Sequence, residues 1–137
     1  MAHWLVKSEP DAWSWQQQVE AGTTCWDGVR NHQAANNLKA MQVGDRAFFY
    51  HSGAERQIVG IVEVVRPYYP DPGDASGRFG MVDVRTVAAV PKPLTLAAVK
   101  ADPQLQHLAL VRQSRLSVMP IDDDSWRHLC ALGGVEA

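Results

Sequence analysis

Runs rich in β-branched and aromatic residues predict five short β-strands along the chain. They cover residues 4–7, 48–50, 58–66, 81–90 and 115–119. Gly60, in the middle of the third run, predicts a bulge or a close approach of another group to the backbone. Pro91 and Pro93 follow the fourth run, and we expect them to end its hydrogen-bond ladder because proline has no N–H to donate.

Helical stretches begin at residues whose side chains can cap a helix N-terminus. The predicted helices start at Ser14, Asn31, Thr95 and Asp122 and end near residues 20, 41, 100 and 133, with one or two further helical turns over residues 103–110. The run Asp122-Asp123-Asp124 is interpreted as a cap favoured by the helix dipole rather than as a cation site. Residues 68–77 form the one predicted loop that is long enough to be functional in itself.

The order of these elements favours an α+β fold. About five to six strands flanked by short helices predict a small mixed β-barrel. A doubly wound sheet would need strand–helix alternation throughout and a glycine-rich turn after the first strand, and Lys7-Ser8-Glu9-Pro10 supplies no such turn. A chain of 137 residues suits one compact domain, so residues 1–137 are predicted to form a single domain.

The charge balance limits the possible partners. The chain has 13 basic and 15 acidic side chains and a net charge of -2, so it lacks the overall basic field of a nonspecific nucleic-acid binder. Any contact with nucleic acid must therefore be local. Cys25 and Cys130 have no CxxC spacing and suit free thiols in a reducing cytosol. No apolar run reaches the roughly 18 residues of a membrane span, so we expect a soluble, cytoplasmic protein without a membrane partner.

The sequence shows no signature of a catalytic or metal site. The five histidines form no HExxH motif and do not pair with cysteines at zinc-ligand spacing, which predicts no metal site. No GxSxG elbow marks a serine hydrolase. His51, beside Ser52 at a predicted strand end, leaves three interpretations open: a hydrogen-bonded histidine at the barrel rim, a ligand-binding group, or an acid–base catalyst.

The five tryptophans of this small domain say more about a possible binding site than the histidines do. Trp4 lies in a predicted strand and Trp15 and Trp126 lie in predicted helices, so these three are expected in the core. Trp26 precedes Asp27-Gly28 outside any periodic element, where an indole either walls a pocket or packs within a loop. The cations expected to contact phosphates near it are Lys7, Arg30 and Arg115.

Seven motifs, taken together, resemble a known family. They are HWLVKSEPDAWSW, WDGVRNHQAANNLKAMQVGD, FFYHS, IVGIVEVV, YYPDP, MVDVR and LVRQSRLSVMPI, in that order. They cover nearly the whole chain and are similar to EVE-domain proteins of the thymocyte nuclear protein type. The resemblance implies a PUA-like barrel, related to YTH domains that read methylated adenine in RNA and to SRA-type readers of modified cytosine in DNA.

The resemblance also implies recognition without chemistry. The expected ligand is a methylated or hydroxymethylated base, with modified cytosine in DNA preferred over modified RNA. A monomeric protein without catalytic residues, cofactor or metal would hold this flipped base in an aromatic-walled pocket. The pocket residues that the resemblance implies are Lys7, Ser8, Trp26, Arg30, Asn31, His51, Ser52, Arg115 and Ser117. Phe79 joins them because family members often have a tryptophan near that place and a longer insertion after YPDP, whereas the loop here is short.

Two other classes of function stay open from the sequence. An enzyme acting on a modified base or nucleotide would use His51 as its acid–base group. A small-molecule or protein-interaction module would suit the slightly acidic net charge.

Overall fold

The structure is a computed structural model in which residues 1–135 are described. The strands are β1 His3–Ser8, β2 Thr23–Trp26, β3 Arg46–His51, β4 Gln57–Pro70, β5 Gly80–Thr95 and β6 Val118–Ile121. The helices are α1 Trp15–Ala21, α2 His32–Ala40, α3 Leu96–Ala101, α4 Ala109–Arg112 and α5 Asp123–Gly133, with a 3₁₀ turn at Pro103–Leu105.

All six strands belong to one sheet in the order β2-β5-β4-β3-β1-β6. β1 runs parallel to β3, and every other neighbouring pair is antiparallel. The α+β class is thus confirmed. The sheet is not closed into the expected barrel, because β2 and β6 at its two edges do not pair within residues 1–135. Helix α2 instead contacts both β6 and β5, so it covers the space between the two ends of the sheet.

The prediction that Pro91 and Pro93 end their strand is wrong. β5 continues to Thr95, since the register jumps from Ala89 opposite Gly60 to Leu94 opposite Ile58. The prolines lie in the skipped segment, where no N–H is required for the ladder.

Three other boundaries also differ from the predictions. β4 extends to Pro70, so the loop expected from residue 68 begins only at residue 71. β6 begins at Val118, and Arg115 lies in the preceding turn, where the N–H of Leu116 donates to the carbonyl of Gln113. β2 was not predicted, because its four residues contain no apolar run and form an edge strand that pairs only with β5.

The predicted helix caps are confirmed. Ser14 forms a capping box with Gln17, and the side chains of Asn31, Thr95 and Asp122 each accept a backbone N–H at the start of a helix. Asp122 therefore caps α5, as the interpretation of the acidic run required.

The core contains Trp4 and Trp126, as predicted, while Trp15 is half-buried and lies over Gly60. A methyl group on Gly60 would lie 2.4 Å from the Trp15 ring. This contact confirms the close approach that the mid-strand glycine predicted.

Candidate functional site

A cleft of about 580 Å³ lies at the ends of β1 and β2. Lys7 and Ser8 end β1, Trp26 ends β2, and the loop of residues 27–30 leads from there to Asn31 at the start of α2. The complete lining is Lys7, Ser8, Ala12, Trp13, Thr24, Cys25, Trp26, Asp27, Gly28, Val29, Arg30, Asn31 and Ser117. We call this concavity the indole cleft.

Two tryptophans give the indole cleft its aromatic character. Trp26 is only 7% exposed, and its ring packs edge-on against Phe49 with 5.4 Å between ring centroids. It pairs with Val82 in the sheet, so the expectation that it lies outside any periodic element is wrong. Trp13 is half-buried, and its Nε1 donates a 2.9 Å hydrogen bond to Oε1 of Gln18. Trp26 thus belongs both to the core and to the cleft wall.

The first strand delivers a cation and a hydroxyl to the cleft. Lys7 Nζ donates to the Ser114 carbonyl at 3.2 Å and lies 5.5 Å from the centroid of the Tyr50 ring. Burial lowers the pKa of the Lys7 ammonium group. Ser8 Oγ donates to the Trp13 carbonyl at 2.6 Å, which ties the end of β1 to the segment that carries the Trp13 indole.

Arg30 and Asp71 hold the opposite wall. Arg30 Nη1 donates to Asp71 Oδ2 at 3.0 Å and to the Val29 carbonyl at 3.1 Å. The same carboxylate accepts the N–H of Gly28 at 3.1 Å and that of Gly73 at 2.7 Å. The Gly28 hydrogen bond, joined by the bonds from Arg30 and Gly73, lowers the pKa of the Asp71 carboxyl group. Asp71 therefore fastens the 71–74 loop to the 27–30 loop.

The structure brings six of the ten expected site residues together in the indole cleft. They are Lys7, Ser8, Trp26, Arg30, Asn31 and Ser117. The Oδ1 atom of Asn31 accepts the N–H of Ala34, so the side-chain N–H donors of Asn31 are available to a ligand. The backbone carbonyl of Ser117 accepts the N–H of Lys7, which fixes the β1 end against the segment before β6.

Four expected site residues lie outside the cleft lining. His51 is buried, and its Nε2 accepts the N–H of Trp15 at 2.9 Å. Ser52 borders a separate shallow depression and donates its N–H to the Ser8 carbonyl. Phe79 packs beside the His32 ring and under the Arg30 guanidinium, so it supports the wall from behind. Arg115 lines an adjoining recess.

His51 contacts the start of α1 and does not line the cleft. Because Nε2 accepts a hydrogen bond, the proton of the neutral imidazole must be on Nδ1, which lies 3.3 Å from Glu55 Oε2 without hydrogen-bond geometry. The ring thereby holds the first turn of α1, directly after Trp13. The Nε2 contact is of the kind expected for a hydrogen-bonded histidine at the barrel rim, while Nδ1 has no hydrogen-bond partner among residues 1–135.

Sequence reasoning missed several cleft residues. Trp13, Thr24, Cys25 and Asp27 line the cleft, and Asp71 holds its wall from a buried position. The signal available for Trp13 was its place beside the Ser14 cap, which turns the preceding residue out of the helix. No local pattern marks Asp71 as part of the site, because Gly28 and Arg30, the partners that connect it to the cleft, lie about forty residues away along the chain.

Neither a metal site nor a membrane span emerges from residues 1–135. No group of three or more His, Cys, Asp or Glu side chains in this range is arranged to hold a metal ion. None of the helices described is both long and apolar enough to cross a membrane.

Comparison with curated proteins identifies relatives over most of the chain. Human thymocyte nuclear protein 1 is 32% identical over 170 aligned residues, which cover 96% of this chain and 73% of the human protein. The alignment is longer than the 137 residues of this chain, so the human protein has insertions relative to it.

The name of these relatives corrects one prediction. They are called nuclear proteins, which overturns the expectation of a cytoplasmic protein. The features behind that expectation do not distinguish the two compartments, because disulfides are rare in both the cytosol and the nucleus.

Solved structures show the same fold. A protein from Rhodopseudomonas palustris, solved by NMR, is 52% identical with a TM-score of 0.92, covering 98% of this chain and 94% of that one. The human THYN1 protein, crystallised in complex with DNA containing 5-methylcytosine, is 31% identical with a TM-score of 0.86, covering 100% of both chains.

A YTH domain from Zygosaccharomyces rouxii is only 15% identical with a TM-score of 0.60, which shows a similar fold. The family model described as the EVE domain matches residues 2–132. The chain therefore belongs to the EVE-domain family.

Proposed function

We propose that this chain is a monomeric, non-catalytic reader that binds a modified cytosine of DNA, flipped out of its stack, in the indole cleft. The observation that carries the proposal is the human relative, 31% identical over the full length of both chains, which was crystallised with DNA containing 5-methylcytosine. The composition of the cleft supplies the physical support.

The size and lining of the cleft suit a flipped base. Its volume of about 580 Å³ falls within the range of roughly 300–1,000 Å³ typical of ligand sites. Extruding a base costs a few kcal/mol, and stacking on an aromatic side chain returns about 1–3 kcal/mol. Trp13 and Trp26 provide the indoles for this stacking. The cost of extruding the base and the gain from stacking therefore nearly cancel. Selectivity must then come from contacts at the edge of the base.

Polar groups of the cleft match the edge of cytosine. The exocyclic amine of cytosine donates hydrogen bonds that a carboxylate can accept, and Asp27 is the one carboxylate among the described residues that line the cleft. Asn31 offers amide donors for the carbonyl of the base. A methyl group buried against an indole contributes about 0.8 kcal/mol, or roughly a fourfold preference. We therefore propose that Asp27 selects cytosine and that the indoles select the methyl group.

The titratable side chains at the cleft favour binding over catalysis. Partial burial of the Cys25 thiol, together with the Asp27 carboxylate, raises its pKa and keeps it in the unreactive thiol form. His51 is turned away from the cleft and holds the Trp15 N–H. A thiol in its neutral form and a histidine outside the cleft lining do not supply the nucleophile or the acid–base group that chemistry on a bound base would need.

A binding screen tests this function. Fluorescence anisotropy would measure affinity for matched oligonucleotides that contain cytosine, 5-methylcytosine or 5-hydroxymethylcytosine, as single- and double-stranded DNA and as RNA. We expect the modified DNA to bind more tightly than its unmodified match and to be recovered chemically unchanged. Equal affinity for modified and unmodified strands, or a converted product detected by mass spectrometry, would overturn the proposal.

An Asp27→Asn variant adds a control for the base. Replacing the carboxylate by an amide removes its negative charge and one of its two acceptor oxygens, so this variant should weaken the preference for cytosine while it keeps the stacking contribution. Asp11→Asn changes the net charge by the same amount at an exposed position outside the cleft. If the two variants have the same preference for cytosine, Asp27 does not take part in the proposed recognition.

A further inference from the structure

A second, smaller recess of about 300 Å³ lies beside the indole cleft. Its lining includes Arg112 at the end of α4, Arg115 from the turn between α4 and β6, and Gln33 from the first turn of α2. Asn31 lines both concavities, so the two adjoin each other. We call this the arginine recess.

The arginine recess is cationic although the protein as a whole is slightly acidic. Among residues 1–135, its lining contains two arginines and no Asp or Glu. Four other arginines, by contrast, form ion pairs with carboxylates: Arg30, Arg46, Arg85 and Arg127. Within residues 1–135, no carboxylate of the lining therefore offsets the charge of these two arginines.

The guanidinium groups of the recess have unused donors. Arg112 Nε donates to the Gln106 carbonyl at 3.0 Å, which orients the side chain and leaves both Nη groups free within the described part of the chain. Arg115 lies in the exposed turn before β6 and makes no side-chain hydrogen bond or ion pair among residues 1–135. Arginine forks of this kind bind phosphate oxygens with paired hydrogen bonds.

Lys7 connects the recess to the cleft. Its Nζ lies in the indole cleft but donates to the carbonyl of Ser114, a residue that lines the arginine recess. A strand whose base enters the cleft would pass this ammonium group before it reaches the two arginines. The Lys7 ammonium group therefore belongs to the cleft and contacts a residue of the recess that contains the two arginines.

We propose that the arginine recess binds the backbone phosphate next to the nucleotide whose base occupies the indole cleft. The inference rests on the proposed function for the identity of the ligand, and it adds a second contact that positions the strand. Phosphate contacts carry no base information, so the recess contributes affinity and register while the cleft supplies selectivity. An acidic peptide could also satisfy two arginines, but a shared residue with an aromatic cleft favours a nucleic-acid strand.

Salt dependence separates this site from base recognition. Each phosphate contact contributes about 0.7 to the slope of log affinity against log salt for single strands and about 0.9 for duplexes. Arg115→Gln should lower that slope by about one contact and weaken modified and unmodified oligonucleotides alike, by roughly threefold to tenfold. Arg127→Gln, on α5, removes the same charge outside both concavities and should leave the slope unchanged.

A modified backbone locates the contact. Oligonucleotides with a single neutral methylphosphonate would be scanned through the linkages around the modified cytosine. One linkage beside the base should weaken binding to the wild type but not weaken binding to Arg115→Gln any further. Arg112→Gln should behave in the same way, and thermal melting would show whether loss of its bond to Gln106 also affects folding. Because Arg115 makes no such bond, its variant tests the site without that complication.

The outcomes distinguish the two proposals. If modified cytosine is preferred but Arg115→Gln keeps the wild-type slope and methylphosphonate profile, the recess does not bind phosphate and the proposed function stands. If modified and unmodified strands bind equally while Arg115→Gln flattens the slope, the recess stands and the modified-base function falls. If no oligonucleotide binds, or only an aspartate-rich peptide competes for Arg115, both proposals are overturned.

Discussion

The guanidinium of Arg30 donates a 3.0 Å hydrogen bond to the carboxylate of Asp71, which is itself only 5% exposed. Arg30 lines the indole cleft and Asp71 lies behind it. Because the carboxylate also accepts the N–H groups of Gly28 and Gly73, the shape of this cleft wall depends on one buried charge.

Asp71→Asn should therefore destabilise the protein by about 1–3 kcal/mol, since the amide cannot replace all the charge-assisted hydrogen bonds. The pKa of Asp71 is lowered in the folded state, so its contribution is complete above the ordinary range near pH 4 and is lost as the pH falls through the lowered value. Urea unfolding of wild type and variant at pH 7 and at pH 3 measures the loss of stability and its dependence on pH. Asp11→Asn is the exposed control. A stability difference that grows as the pH falls would contradict the assignment.

Trp26→Ala should lower stability and binding together. The indole is buried and packs on Phe49, and truncation of a buried tryptophan costs about 3–5 kcal/mol. Trp26→Phe, which keeps an aromatic ring, should recover part of both properties. Chemical denaturation and anisotropy on the same samples provide the comparison, and an unchanged melting temperature for Trp26→Ala would show that the ring is not part of the core.

Trp13→Ala should weaken binding with a smaller loss of stability. The ring is half-buried, and the main structural cost is the lost hydrogen bond to Gln18, about 1–3 kcal/mol. Loss of one stacked base contact predicts a drop in affinity of roughly fivefold to 150-fold. Titration with the modified oligonucleotide well below the melting temperature tests this, and wild-type affinity would remove Trp13 from the stacking surface.

His51→Gln and His51→Leu should differ. A glutamine oxygen can accept the N–H of Trp15, whereas leucine leaves that donor without a partner, which costs about 1–3 kcal/mol. We expect the glutamine variant to bind within about tenfold of wild type, or ~1.4 kcal/mol, and the leucine variant to be clearly less stable. Equal melting temperatures of the two variants would show that the hydrogen bond to α1 does not contribute to stability.

Gly60→Ala should be destabilising by about 1–3 kcal/mol or more, because its methyl group would lie 2.4 Å from the Trp15 ring. Trp15→Leu makes room at the same place. In a double-mutant cycle the combined variant should lose less stability than the sum of the two single variants. Additive losses would mean that the two residues do not interact.

The sequence predicted features that depend on neighbours along the chain. The caps at Ser14, Asn31, Thr95 and Asp122 are local hydrogen bonds, so each helix start was correctly placed. Local patterns failed where pairing with a segment far away along the chain determines the structure. The segment from Pro91 to Pro93 remains in β5 because the register with β4 passes over it. Trp26 lies in a strand because its short segment, which has no apolar run, pairs with β5.

The same distinction applies to the site. Motif resemblance indicated the ends of β1 and β2, but it also included His51, whose strand lies beside β1 while its ring turns towards α1. Side-chain direction is set by packing, which a motif does not contain. Trp13 and Asp27 line the same cleft without belonging to the predicted set.

The position of β1 between β3 and β6 has a consequence for folding during synthesis. Its residues pair with a strand that begins at Val118, so the first strand gains its second neighbour only after most of the chain has left the ribosome. Lys7 and Ser117, which meet across this pairing, both line the indole cleft. A nascent chain therefore has no complete cleft, and ligand binding begins only when its earliest and latest strands have met.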